Sequence, residues 1–243
     1  MRSRILLAVL IVSGIAVFPP SAHAVPSLQL DIGSGVYDWS TQTIVATSNP
    51  FTLYALLRET DKNPLSDTYY ISAALMPKTV PPGADLGSFT FDGATVNVTE
   101  GMVYGVPPVE ADGTAGKDPG DLPKHGIFKT YFSEFSFSFD QSKKAREYDT
   151  QDDPGGFQVA SGDDPILYYM AFNVDVGSLA AGYQIHFDLY NEKVRCSGDY
   201  DISAKAPFSH DAESAPVPEP GTMILLGSGL IGIAIFGKRK IQA

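Results

Sequence analysis

The run Phe135-Ser136-Phe137-Ser138-Phe139 alternates apolar and polar residues without exception. In an extended chain all three rings share one side, whereas a helical period would scatter them around the axis. The same period runs through Leu28-Gln29-Leu30-Asp31-Ile32 and through Gln184–Tyr190. In the second, Ile185, Phe187 and Leu189 face one way and His186, Asp188 and Tyr190 the other. Phe51–Leu57 and Tyr69–Leu75 are nearly continuous apolar runs, the signature of central strands, and Leu167–Val176 is a further clear strand. Shorter candidates are Thr43–Ala46, Ser88–Phe91, Thr95–Val98 and Asp201–Lys205. Turn clusters separate them: Lys62-Asn63-Pro64, Pro81-Pro82-Gly83, Asp92-Gly93, Asp118-Pro119-Gly120 and Asp153-Pro154-Gly155-Gly156. Helical signals are sparse. Asp140–Asp149 has good helix formers but almost no apolar stripe, so it predicts one short exposed helix at most. Many short strands without intervening helices predict an all-β fold, an antiparallel β-sandwich of jelly-roll or Ig-like kind. The irregular interval from Gly101 to Lys129 reads as a surface excursion.

The two ends carry different signals. Arg2 and Arg4 precede an apolar run, Ile5–Phe18, which Pro19-Pro20 ends. Ala22-His23-Ala24 follows with small residues at Ala22 and Ala24. This order predicts a secretory signal peptide over residues 1–24, cleaved after Ala24. At the other end, Gly221–Gly237 is uncharged and mostly apolar, long enough for one transmembrane helix. The basic cluster Lys238-Arg239-Lys240 behind it should stay cytoplasmic and leave the preceding chain outside. Export through the Sec translocon gives the same topology. The expected organisation is therefore a signal peptide (1–24), an exported sandwich domain (25–205), a Pro/Ser/Asp/Glu-containing linker (206–217) and a C-terminal signal with its membrane helix and basic tail (218–243).

Pro218-Glu219-Pro220, the apolar stretch with Gly227, Gly229 and Gly232, and the terminal Lys238-Arg239-Lys240 together resemble a PEP-CTERM protein-sorting signal. The resemblance implies recognition of the motif by an exosortase, a membrane cysteine protease-transpeptidase that processes the tail. It also implies a Gram-negative bacterium that makes extracellular polysaccharide. The protein would pass transiently through the inner membrane, held by the C-terminal helix until processing, and end at the cell surface or in the extracellular matrix.

The chain carries 17 Lys+Arg and 28 Asp+Glu, a formal net charge of −11. Both terminal segments are basic. Without residues 1–24 and the segment after Pro220, 12 basic residues face 28 acidic ones, a net charge near −16. Such a balance disfavours nucleic acid as a partner, because phosphates are met by Lys and Arg. It suits solubility in an extracellular matrix.

Leu28-Gln29-Leu30-Asp31-Ile32 with Gly35-x-Tyr37-Asp38, then Pro50-Phe51-Thr52-Leu53-Tyr54, and later His125-Gly126-Ile127-Phe128 with Thr130-Tyr131-Phe132, resemble the bacterial surface family called choice-of-anchor N. That resemblance implies an exported domain joined to varying C-terminal anchors. It carries no chemistry and assigns no catalytic residue.

Catalytic constellations are thin. No Gly-x-Ser-x-Gly elbow and no His-Glu-x-x-His motif occur. Cys196, the only cysteine, has Arg195 beside it but no local pattern joining it to His125 or His186. Tyr37, Trp39, Tyr104 and Tyr148 on expected loops offer rings that stack on sugars, or serve as core and rim. The acidic segment Glu147, Asp149, Asp152, Asp153, Asp163 and Asp164 has hard oxygen ligands on Gly-rich loops and no intervening cation, so it is the candidate for a weak calcium site; otherwise it is a solvated loop. No other cofactor is expected. The expected function is a non-enzymatic, exosortase-processed surface or matrix protein with a structural or adhesive role. The alternative is a carbohydrate-binding module for exopolysaccharide, and the third reading is an extracellular hydrolase.

Overall fold

The computed structural model describes residues 25–77, 79, 85–109, 129–194, 200–218, 228 and 230. Fourteen strands among them form two sheets, with almost no helix. The first sheet holds β1 (Leu28–Ile32), β4 (Phe51–Leu57), β11 (Ile166–Asp175), β6 (Ser88–Phe91) and β7 (Ala94–Asn97) in that order, with β10 (Lys144–Arg146) also paired to β11. The second holds β2 (Val36–Asp38), β3 (Thr43–Val45), β14 (Ala212–Glu213), β12 (Gln184–Val194), β5 (Tyr69–Met76), β9 (Thr130–Phe137) and β8 (Val103–Gly105). In this sheet β13 (Tyr200–Lys205) also pairs with β12. The pairs are antiparallel except β14 with β3, which is parallel. The sandwich is thus mixed at one place, where a late strand runs in beside an early one.

Alternation decides what lies between the sheets. Leu28, Leu30 and Ile32 of β1, Leu53, Ala55 and Leu57 of β4, and Ile185, Phe187 and Leu189 of β12 all enter one core. The centre is aromatic. Phe91 stacks on Phe135 at 4.1 Å between centroids and on Phe172 at 5.1 Å, and reaches Phe187 at 6.4 Å. Phe91 and Phe172 come from the first sheet, Phe135 and Phe187 from the second, so the four rings join the layers. Phe137 and Phe139 pack together at 5.1 Å. The three alternating phenylalanines therefore all contribute to this core, although the strand ends at Phe137. Between β6 and β7 the turn is Asp92-Gly93, with φ of 47° and 83°. Two left-handed residues in a two-residue hairpin match the twist of the flanking strands, and Gly takes the second at no steric cost.

The outer faces are also covered. Over the first sheet, Ala145, Tyr148 and Leu167 close on Leu56, with Tyr54, Phe157 and Tyr169 beside them. Residues 140–149 thus do not form the expected helix. Their helix formers lack an apolar stripe, and Ala145 is buried when the segment instead lies extended as β10 along β11. Over the second sheet, Val109, Tyr190 and Phe208 form a separate apolar cluster with Tyr70.

Residues 206–217, expected to be a linker, are built into the sheet. A 3-10 turn at Phe208–His210 leads into β14, which sits between β3 and β12. Val217 then exchanges backbone hydrogen bonds with the 182–183 turn: its N–H donates to the Tyr183 carbonyl at 3.0 Å, and its carbonyl accepts from Gly182 at 2.9 Å. The Pro-, Ser- and acid-containing composition misleads because the burial here is largely polar. Among the described residues no helix is long and apolar enough to cross a membrane. The expected signal peptide, including Ala22 and Ala24, and the expected membrane helix lie outside the described residues, apart from 228 and 230.

Candidate functional site

A buried polar group occupies the outer face of the second sheet. It starts from the alternation of β12. With Ile185, Phe187 and Leu189 committed to the core, His186 and Asp188 must point the other way. In the register of β12 with β14, His186 lies opposite Glu213. One pair further along the same antiparallel register, Asp188 lies opposite Asp211. On the other flank β5 places Ala74 against His186 and Ser72 against Asp188. Both are small, which leaves the space beside the imidazole to polar neighbours.

The geometry is close and dry. The Nε2 atom of His186 lies 3.3 Å from Asp188 Oδ1 and 3.3 Å from Asp211 Oδ2, and Nδ1 lies 3.3 Å from Glu213 Oε1. The side chains of these four residues are at most 4% exposed. The other oxygen of Glu213 accepts a 2.6 Å hydrogen bond from Gln184 Nε2. Oδ2 of Asp188 and Oγ of Ser72 have no hydrogen-bond partner among the described residues. Burial opposes charge on the imidazole, but the carboxylates of Asp211 and Asp188 and their hydrogen bonds outweigh it. They hold the His186 pKa well above its ordinary value. Two carboxylates facing each other across strands repel, and the imidazole of His186 lies between them. His186, Asp188 and Asp211 each offer a ligand atom, and these atoms lie within 4.8 Å of one another. Lys205, at the Phe208 end of the same face, holds its ammonium 4.6 Å above that ring.

The acidic segment expected to suit calcium is dispersed. Asp149 Oδ1 is 2.9 Å from His210 Nε2 and accepts from the Gln151 amide at 2.9 Å. Asp164 caps its own turn through Ser161. Asp152, Asp153 and Asp163 are exposed, and Glu147 lies 3.7 Å from Arg58. Among the described residues this segment forms no group of three ligands; the one that forms joins His186 and Asp188 of β12 to Asp211, the residue before β14. The usable sequence signal was the pair of same-face doublets, His186-x-Asp188 and Asp211-x-Glu213. The first is visible in the strand alternation. The second sits in the stretch read as linker.

The aromatic candidates do not make a row. Tyr148 is buried and donates to Asp31. Tyr104 packs on Tyr131 at 5.3 Å and donates to the Thr79 carbonyl at 2.9 Å. Trp39 is 70% exposed and meets Tyr37 edge to face at 4.8 Å. None of these rings lines either of two open depressions. One, of about 550 Å³, is beside Thr95–Asn97 and Phe132–Phe135, and the other, of about 470 Å³, is beside Ser142–Lys144 and Val159. Cys196 and His125 lie outside the described residues, as do Glu219, Pro220, Lys238, Arg239 and Lys240; Pro218 is described.

No curated protein and no solved structure matches the chain. Residues 216–240 match the PEP-CTERM protein-sorting motif, which indicates an exported protein sorted to the surface by an exosortase.

Proposed function

We propose that the folded domain is a non-enzymatic structural or adhesive component of the cell surface or extracellular matrix, released or retained there after exosortase processing. The sorting motif carries this reading: its match begins at residue 216, beside Val217, whose backbone is hydrogen-bonded into the sandwich. The signal thus begins where the fold ends, with Val217 in both, as in a protein whose folded part is cargo. The same role is what the sequence resemblance to the choice-of-anchor N surface family implies. Replacing Pro218, Glu219 and Pro220 together by alanine tests it in the native host. Unprocessed precursor should accumulate in the inner-membrane fraction, as it should in a strain without exosortase. Normal processing and surface delivery of the triple variant would contradict the assignment.

The carbohydrate-binding reading is favoured by one observation, the exposed Trp39 braced by Tyr37. Exposed aromatic faces stack on apolar faces of sugars. Retention of the protein on the host's exopolysaccharide, lost in Trp39→Ala with unchanged melting temperature, would establish it.

A further inference from the structure

We propose that His186, Asp188 and Asp211 bind a divalent transition cation, zinc foremost, which locks β14 to β12. Three independent features support the site. The first is spacing. In a tetrahedron with zinc bonds of 2.0–2.1 Å, neighbouring ligand atoms stand roughly 3.3–3.4 Å apart. His186 Nε2 stands at that separation, 3.3 Å, from an oxygen of each aspartate, and the three ligand atoms all lie within 4.8 Å of one another, so closure of the two aspartates on the ion completes the set. The second is the outer partner of the ring. A metal-bound histidine characteristically gives its other ring N–H to a carboxylate, which fixes tautomer and orientation. Glu213 holds that position at 3.3 Å from Nδ1 and is itself held by Gln184 at 2.6 Å. The third is an unmet demand. Asp188 Oδ2 and Ser72 Oγ are buried on this face without hydrogen-bond partners among the described residues, and burying such groups is costly.

Charge points the same way. Two aspartates facing each other on one dry face neutralise a dication. Three carboxylates converge on the one imidazole of this group. The nitrogen ligand selects against calcium and magnesium, which take oxygen. Three protein ligands leave a fourth position of the tetrahedron, which Ser72 Oγ, opposite Asp188 on β5, or a water would approach. Full burial of the ligands marks a structural rather than a catalytic ion.

The test uses the full-length chain in detergent, purified without metal affinity and stripped with a chelator. Dialysis against zinc should leave one equivalent by elemental analysis. It should raise the melting temperature by about 5–10 °C at a hundredfold excess over Kd. Cobalt in place of zinc should give the visible absorption of a four-coordinate site. Asp188→Asn and Asp211→Asn should each lose the equivalent, and Glu213→Gln should keep it with affinity lowered about 10–100-fold. If the aspartate variants do not fold, the wild-type stoichiometry, melting shift and cobalt spectrum decide. A wild-type chain that retains no zinc, with a melting temperature indifferent to zinc and chelator, would overturn the proposal and leave His186 as a buried imidazolium. Folded variants that keep the full equivalent would overturn it equally.

Discussion

The Tyr148 hydroxyl donates a 2.6 Å hydrogen bond to Asp31 Oδ2 across 117 residues of sequence. Asp31 leaves β1 on the side away from the core, yet it is fully buried because the 148–155 loop closes over it. Its Oδ1 accepts from the amides of Ile32 and Gly155, both at 2.8 Å. Gln29, two residues earlier on the same face, bonds the loop at both ends of its amide: Nε2 donates to the Tyr148 carbonyl and Oε1 accepts from Thr150 N–H. One strand face thus fastens a loop that the sequence leaves unstructured.

The stability of this attachment depends on pH. Burial raises the Asp31 pKa from 3.8 to about 6, outweighing the three hydrogen bonds that oppose it. The unfolded carboxyl ionises first as pH rises. Stability from this residue is therefore full below pH 4, falls between about pH 4 and 6, and is lower by about 3 kcal/mol above that window. Asp31→Asn should flatten the slope, since the amide oxygen still accepts from both backbone amides and Tyr148 can turn to accept. Urea midpoints measured from pH 4 to 7.5 on both proteins check this. An equal slope in the variant would assign the pH response elsewhere.

Phe91 is the ring on which both sheets converge, within 5.1 Å of Phe135 and Phe172. Phe91→Ala should cost about 3–5 kcal/mol through lost transfer energy and a residual cavity. Phe91→Leu should recover much of that. Chemical denaturation with an unchanged m-value would show that the loss arises in the native core.

Gly87 has φ of +81°, and a Cβ there would stand 2.2 Å from the Ser178 carbonyl oxygen and 2.9 Å from Leu179 Cα. Both obstacles are backbone and cannot swing aside. Gly87→Ala should destabilise by about 3 kcal/mol or more. Gly93 has nearly the same φ, +83°, but nothing within 4 Å of its added Cβ. Gly93→Ala should cost only about 1 kcal/mol, the conformational part alone. The difference between the two melting temperatures isolates the clash.

Strands with strong alternation or long apolar runs were legible because two-sided burial writes its period into the residues. Leu28–Ile32, Phe51–Leu57 and Ser88–Phe91 lie where the pattern puts them. Of the strands of two or three residues, β2, β3, β8, β10 and β14, the pattern shows β3 alone; the rest are too short to hold a period. Their existence depends on neighbours far away in sequence. For Lys144–Arg146 local propensity favoured a helix, but pairing with Ile166–Tyr168 and burial of Ala145 prevail. The polar site was half legible. Alternation alone puts His186 and Asp188 on the non-core face of their strand. Asp211 and Glu213 do not read as their partners, because an acidic, Ser- and Pro-containing stretch resembles a solvated spacer unless the chain brings a second carboxylate face to it.

That stretch gives a direct stability test. Phe208, Asp211, Ala212, Glu213 and Ser214 are buried. Backbone bonds run from Ile44 N–H to the Asp211 carbonyl, from Ala46 N–H to the Glu213 carbonyl and from Ser214 N–H to the Ile185 carbonyl. Removing the segment leaves β3 and β12 with unpaired edges and uncovers the Tyr190 and Tyr70 rings, stacked at 5.7 Å. The transfer of Phe208 alone contributes about 1.5–3 kcal/mol, and each buried backbone group left unpaired adds about 1–3 kcal/mol. Their sum approaches the whole stability of an ordinary domain. A fragment spanning residues 25–217 should therefore unfold cooperatively and resist protease, whereas one ending at Lys205 should be degraded and aggregate through the freed edges. Equal protease resistance and equal urea midpoints for the two fragments would show that residues 206–217 rest on a domain already complete without them.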